Sequence, residues 1–230
     1  MEPDTLVQLQ TNQEMMKNNQ TKRDSKATQA KILDAAYRVF AKNEFGAASI
    51  RMIAREGGVP HGLIRYYFQN KVDLFETVAK QVSDDIYKAT ESALVESMAT
   101  SVEEGFLIYV TRLVEFAKAK PWAFRILTLN LSMEKDTLVP GKELFLNIIE
   151  KVRARVISLA RFKASQDEIW RFTDSFNALI MYYLGTPESA AWLLHLDPDS
   201  EVYTDWVCQT MFEIFYPNFQ KLLEDGKTRK

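Results

Sequence analysis

A chain of 230 residues with 47% hydrophobic and 26% charged residues has the balance of a folded protein, and its 8 Gly and 7 Pro leave room for few turns, which favours long helices over many short strands. No run approaches the roughly 18 uninterrupted apolar residues that a membrane span needs, and the first 20 residues carry Glu2, Asp4 and Glu14 with no apolar stretch, so no secretory signal is expected there. A single cysteine, Cys208, excludes an internal disulfide, and His61 and His195 are too few for a Cys/His metal cluster; the chain reads as cytoplasmic, with no metal and no cofactor.

The net charge of −2 conceals a polarity along the chain. Residues 17–80 carry 12 Lys and Arg against 6 Asp and Glu, residues 1–16 carry 3 acids and no base, and residues 81–230 carry 17 bases against 22 acids. A basic head on an acidic body is the asymmetry expected when one part meets phosphate and the other does not. Residues 1–24, polar and rich in Gln and Asn, read as a flexible arm, with Lys17, Lys22, Arg23 and Lys26 within reach of a nucleic-acid backbone.

From Thr28, apolar Ile32, Leu33, Ala36, Tyr37 and Phe40 recur at three- and four-residue spacing, which predicts a helix to about Lys42. Ser49 is the predicted N-cap of a second helix through Ile50, Ile53 and Ala54 that Gly57-Gly58 ends. Pro60 opens a short third helix to about Tyr67, and Asn70-Lys71-Val72-Asp73 caps a fourth running to about Met98. Further helices are predicted from Ser101 to about Lys118, from Pro121 to near Met133, from Pro140 to Leu159, from Ser165 to about Leu184 and from Ser200 to Asp225. The expected fold is all-α, with about nine helices: a three-helix head over residues 25–75 and a helical bundle body over residues 76–230.

The stretch from Ser49 to Leu74 has the physics of a helix-turn-helix, in which a short helix packs inward, Gly58 permits a tight turn, and a second short helix projects outward. The major groove of B-DNA admits one such helix. The residues expected at that interface are His61, Gly62, Arg65, Tyr66, Tyr67 and Lys71, with Ser49 at a helix N-terminus. Arg65 is suited to guanine O6 and N7; Tyr66, Tyr67, Lys71 and Ser49 are suited to phosphates, and Gly62 permits close approach.

These residues resemble the head of TetR-type regulators. The likeness rests on Ile32, Leu33, Ala35, Ala36 and Phe40, then Ala48-Ser49-Ile50 with Ile53-Ala54, then Gly58-Val59-Pro60, Gly62, Tyr67-Phe68, Lys71 and Leu74. It departs from that pattern at Glu44, where Gly is usual, at Ala48 and Pro60, where hydroxyl residues are usual, and at Arg65, in a slot often held by Tyr. The resemblance implies a homodimer formed by the last two helices, each head in a major groove of a pseudo-palindromic double-stranded DNA operator, and a small-molecule effector in the body that releases it, most such proteins being repressors.

The aromatic-rich body supplies candidates for a ligand pocket: Tyr109, Trp122, Phe145, Trp170, Phe176 and Tyr183, with Asn130 and Asn177 to orient a hydrophobic or aromatic effector. Phe106, Phe124, Arg125 and Arg153 belong to the same wider set, and any single aromatic serves equally well as core. An enzyme is not expected and no catalytic residue is assigned, because the two His are far apart and neither a Gly-rich loop nor metal-ligand spacing is present. The alternative is a helical interaction or scaffold protein with a degenerate helix-turn-helix and no effector.

Overall fold

A computed structural model describes residues 23–131 and 139–223, and among these the chain is helical throughout, with no strand. Helix α1 covers residues 23–40, followed by α2 (Ile50–Gly57), α3 (His61–Tyr67), α4 (Lys71–Ser97), α5 (Val102–Ala119), α6 (Trp122–Leu131), α7 (Lys142–Ala160), α8 (Gln166–Gly185), α9 (Pro187–Leu193) and α10 (Glu201–Leu223). The arm expected over residues 1–24 lies outside the described residues except for its last two, Arg23 and Asp24, which are already helical. Thr28, expected near the helix start, sits inside α1, its hydroxyl donating to the Asp24 carbonyl at 2.9 Å. The predicted ends of α6 near Met133 and of α10 at Asp225 also fall outside the described residues.

The helix ends follow from local chemistry. Ser49, Asn70, Ser101 and Ser165 each hold an extended backbone and accept an N–H from three residues on, which satisfies one of the orphan donors of a helix start. Ser165 and Glu168 form a reciprocal capping box. Gly58 ends α2 at φ +56°, a left-handed conformation that only glycine adopts without cost, and Val59 N–H then donates to the Ala54 carbonyl at 3.0 Å. Helix α9 is one more than the sequence reading expected: Gly185 ends α8, and Pro187 starts the new helix at its first turn.

Behind the head, α4 packs against α5, α6 and α7, α10 lies on α5 and α8, and α6 lies on α8. One continuous apolar core runs from Ile32 in the head to Leu222 in the last helix. Fully buried Phe75 joins the two ends of this core, meeting Phe40 edge-on at 4.8 Å, Phe45 at 5.0 Å and Phe145 at 6.4 Å. Helix α7 is the exception to tight burial, with Phe145 and Ile148 as its buried residues over 19 positions. Among the described residues no helix is long and apolar enough to cross a membrane.

At the end of the body away from the head, α4 turns into α5, and the two cross closely. A Cβ on Gly105 would stand 2.2 Å from the Ser97 carbonyl oxygen, a backbone atom that cannot rotate aside. Gly105→Ala is therefore expected to destabilise the protein by about 1–3 kcal/mol, the range of overpacked interiors, read as a lowered denaturation midpoint in urea.

Candidate nucleic-acid interface and body cavity

Helix α3 is anchored by Ile64, its one buried residue, and by Phe68 just beyond its end. Turning about that anchor, Gly62, Arg65 and Tyr66 are exposed, Tyr66 at 80%, while His61 and Tyr67 are half-buried. A Cβ on Gly62 would meet nothing within 4 Å, so no contact among the described residues requires glycine there. Tyr67 packs edge-on against Tyr66 at 5.1 Å and its hydroxyl donates to Ser25 Oγ at 3.2 Å, tying α3 to α1. Ser49 Oγ accepts the Met52 N–H at 3.3 Å, which leaves its own proton for another acceptor.

Lys71 is placed differently from the expectation of a phosphate contact. Its Nζ donates to the carbonyls of Phe45 at 2.8 Å, Ala48 at 3.0 Å and Gly46 at 3.5 Å, and stands 4.2 Å above the Phe45 ring. All of its donors are directed into the turn between α1 and α2. The same turn is held from the body: buried Asn130 accepts the Phe45 N–H at 3.3 Å and donates to the Ile126 carbonyl at 2.8 Å.

Three exposed arginines on the head, Arg51, Arg55 and Arg65, have no ion-pair partner among the described residues, and Lys42 lies beside the first two. Arg38, in the same cleft, is neutralised by Asp34 and by Glu56 at 2.7 Å. Arg51 and Arg55 were not among the sequence candidates, because α2 was read only for its buried side. Helical spacing places 51 and 55 opposite Ile53 and Ala54, a signal available in the sequence.

The body holds a half-open cavity of about 270 Å³ between the last turn of α4, the start of α5, the second half of α7, the middle of α8 and the end of α10. Of the eight predicted pocket residues, Tyr109, Phe176 and Asn177 line it, as do Phe106 and Arg153 from the wider set. The other five are elsewhere. Trp122 stacks on Tyr37 of the head at 4.1 Å under Lys120, Asn130 holds the α1–α2 turn, and Phe145 is fully buried against Phe75. Trp170 is 46% exposed under the Arg153 guanidinium, and Tyr183 is buried against Tyr182 and Trp206.

The sequence reading missed Phe172 and Phe219, both in the cavity wall. The four-residue spacing of Phe172 and Phe176 was the available signal; Phe219 is brought in from a distant helix and carried none. Phe106, Phe172, Phe176 and Phe219 form a ring of edge-on, tilted and stacked contacts at 5.4 to 6.3 Å.

Residues 32–78 match the family model described as bacterial regulatory proteins, tetR family. The chain is 36% identical over 58 residues to the HTH-type transcriptional regulator AcrR of Shigella flexneri, which is 25% of this chain and 27% of that protein. It is 32% identical over 77 residues to the fatty acid metabolism regulator protein of Bacillus subtilis (strain 168), which is 34% of this chain and 39% of that one. The match thus spans less than half the length of either curated relative. Similarity of fold extends further. The transcriptional regulator FadR from Bacillus subtilis, solved in complex with stearoyl-CoA, superposes with a TM-score of 0.56 at 19% identity, over 81% of this chain and 96% of that one. SCO4454, a TetR-family transcriptional regulator from Streptomyces coelicolor, superposes with a TM-score of 0.63 at 16% identity, over 85% and 90% of the two chains. The tetR family's model is thus matched over the head, and the fold of the solved regulators extends through the body.

Proposed function

We propose that this protein is a sequence-specific DNA-binding transcriptional regulator, a repressor that leaves its operator when an apolar effector enters the body cavity. The observation that carries the reading is the outer face of the head, where Arg51, Arg55 and Arg65 are exposed without ion-pair partners among the described residues. Unpaired guanidiniums on a short helix and its neighbour match the needs of groove binding, where phosphate contacts set register and base contacts set sequence. Glycine at position 62 costs about 1 kcal/mol in a helix and serves no contact among the described residues, which supports close approach of a second molecule there. The names of the relatives favour this reading over a scaffold.

On this reading residues 25–75 form the DNA-binding head and residues 76–230 the sensing and dimerisation body. Arg65 and His61 meet base edges; Gly62 lets the helix sit close, and Ser49, Tyr66, Arg51 and Arg55 meet phosphates. Tyr67 positions α3 through Ser25, and Lys71 acts inward, as the clamp on the α1–α2 turn. Two copies pair through α8 and α10, so that two heads face the half-sites of a pseudo-palindrome. Helix α4 provides the coupling: its 27 residues, about 40 Å of helix, begin under the head at Lys71 and end at the cavity wall with Ser97. An effector that prefers one placement of this rod shifts the heads by population, and a differential of 1–3 kcal/mol corresponds to a roughly 5- to 150-fold change in operator affinity.

These assignments separate in one experiment, operator binding measured against salt. Arg65→Ala is expected to lose about 1–3 kcal/mol of discrimination at one base position in each half-site. Arg51→Ala is expected to weaken all sequences and to reduce the log–log salt slope by about 0.9 for each phosphate that the arginine neutralises. Lys71→Met is expected to lower the melting temperature and weaken binding with the salt slope unchanged, since the lysine does not reach DNA. Equal binding of all three variants and the parent to an enriched operator would contradict the placement of DNA on this face.

A further inference from the structure

Resting on the reading of the body cavity as an effector site, we infer that the ligand is a compact, uncharged, ring-bearing molecule with one acceptor oxygen, held by the Tyr109 hydroxyl and the Asn177 carboxamide. Three features of the cavity converge on this class.

The first is the wall. Phe106, Phe172, Phe176 and Phe219 line the space in edge-on, tilted and stacked pairs, and the Tyr109 ring lies 5.9 Å from Phe176. Aromatic edges and faces of this kind accept another ring in the same edge-to-face manner.

The second is the set of polar groups. Ser97 Oγ donates to the Leu94 carbonyl at 2.8 Å, Thr173 Oγ1 reaches the Ile169 and Trp170 carbonyls at 3.0 and 3.2 Å, and Thr100 Oγ1 donates to the Glu104 carboxylate, so the three aliphatic wall hydroxyls are satisfied within the chain. Tyr109 and Asn177 are different: among the described residues neither side chain has a hydrogen-bond partner. Tyr109 lies deep in the body yet keeps part of its surface accessible, because it borders the cavity. Burial raises its pKa, so the phenol stays protonated and able to donate. A phenol and an amide left unmet in an otherwise apolar space are complementary to a ligand oxygen.

The third is charge and size. Among the described residues Arg153 is the one cation lining the cavity; Asp174 neutralises it at 3.1 Å, and its guanidinium covers the Trp170 ring at 5.7 Å. Among the described residues no uncompensated cation is left in the wall for a carboxylate. The volume of about 270 Å³ lies at or just below the lower end of the roughly 300–1,000 Å³ typical of small-molecule sites, which suits one or two rings.

The test is calorimetric titration of the full-length protein with benzophenone, with diphenylmethane, which replaces the carbonyl by CH₂ in nearly the same shape, and with decanoate as an anionic chain. Benzophenone is expected to bind more tightly than either. Tyr109→Phe is expected to lose about tenfold in affinity for benzophenone and to bind diphenylmethane as the parent does, the signature of one removed hydrogen bond. Should Tyr109→Phe bind neither probe, the same split is read on the near-isosteric Asn177→Leu. No binding of benzophenone, equal effects on ketone and hydrocarbon in both variants, or tighter binding of decanoate overturns the assignment. Ketone binding that depends on Tyr109 but leaves operator affinity unchanged upholds the ligand class and counts against the effector reading.

Discussion

The start of α4 is the constraint on which the rest of the molecule depends. Within five residues it supplies Lys71, whose ammonium gathers three carbonyls of the α1–α2 turn, and Phe75, whose ring meets Phe40, Phe45 and Phe145. A lysine beneath a turn satisfies backbone acceptors that a short connection otherwise leaves to water, and a buried phenylalanine at a three-way contact is worth about 3–5 kcal/mol against alanine. Head and body therefore share a core, and a displacement of α4 cannot leave the helix-turn-helix where it was.

Helix α6 adds a second connection. Trp122 lies flat on Tyr37 at 4.1 Å, Lys120 bonds Asp85 of α4 at 2.6 Å, and Tyr37 also bonds Gln81 of α4, so α1, α4 and α6 are stitched together at one edge. At the other end of α6, Asn130 holds the Phe45 N–H. The head is thus gripped at two points by one short helix and from below by another. Such an arrangement transmits a small rotation of the body as a rigid displacement of the head, because close-packed interiors do not absorb strain gradually.

How much of this was legible in the sequence differs by level. The caps at Ser49, Asn70, Ser101 and Ser165, the left-handed Gly58 and the resulting helices α2 to α5 and α8 follow from local chemistry, and local chemistry is visible in order along the chain. Helix α9 lies in the stretch between Leu184 and Ser200 for which no helix was expected, although Pro187 marks its start. The outward face of α3 was legible because one buried residue, Ile64, fixes its rotation. The inward bonds of Lys71 were not legible for the opposite reason: its partners are carbonyls 23 to 26 residues away, and no pattern of side chains records a backbone acceptor. The cavity shows the same limit. Aromatics were plentiful, but Trp122 and Phe145 face the head junction, while Phe172 and Phe219 meet only after α8 and α10 have packed.

The central claim is that α3 and its neighbouring arginines read a specific duplex, and selection of bound fragments from a random DNA pool tests it most directly. Enrichment of one motif with two inverted half-sites, their footprint lying in successive major grooves, is the result this account predicts. Retention of all fragments equally, at an affinity set only by salt, would contradict it.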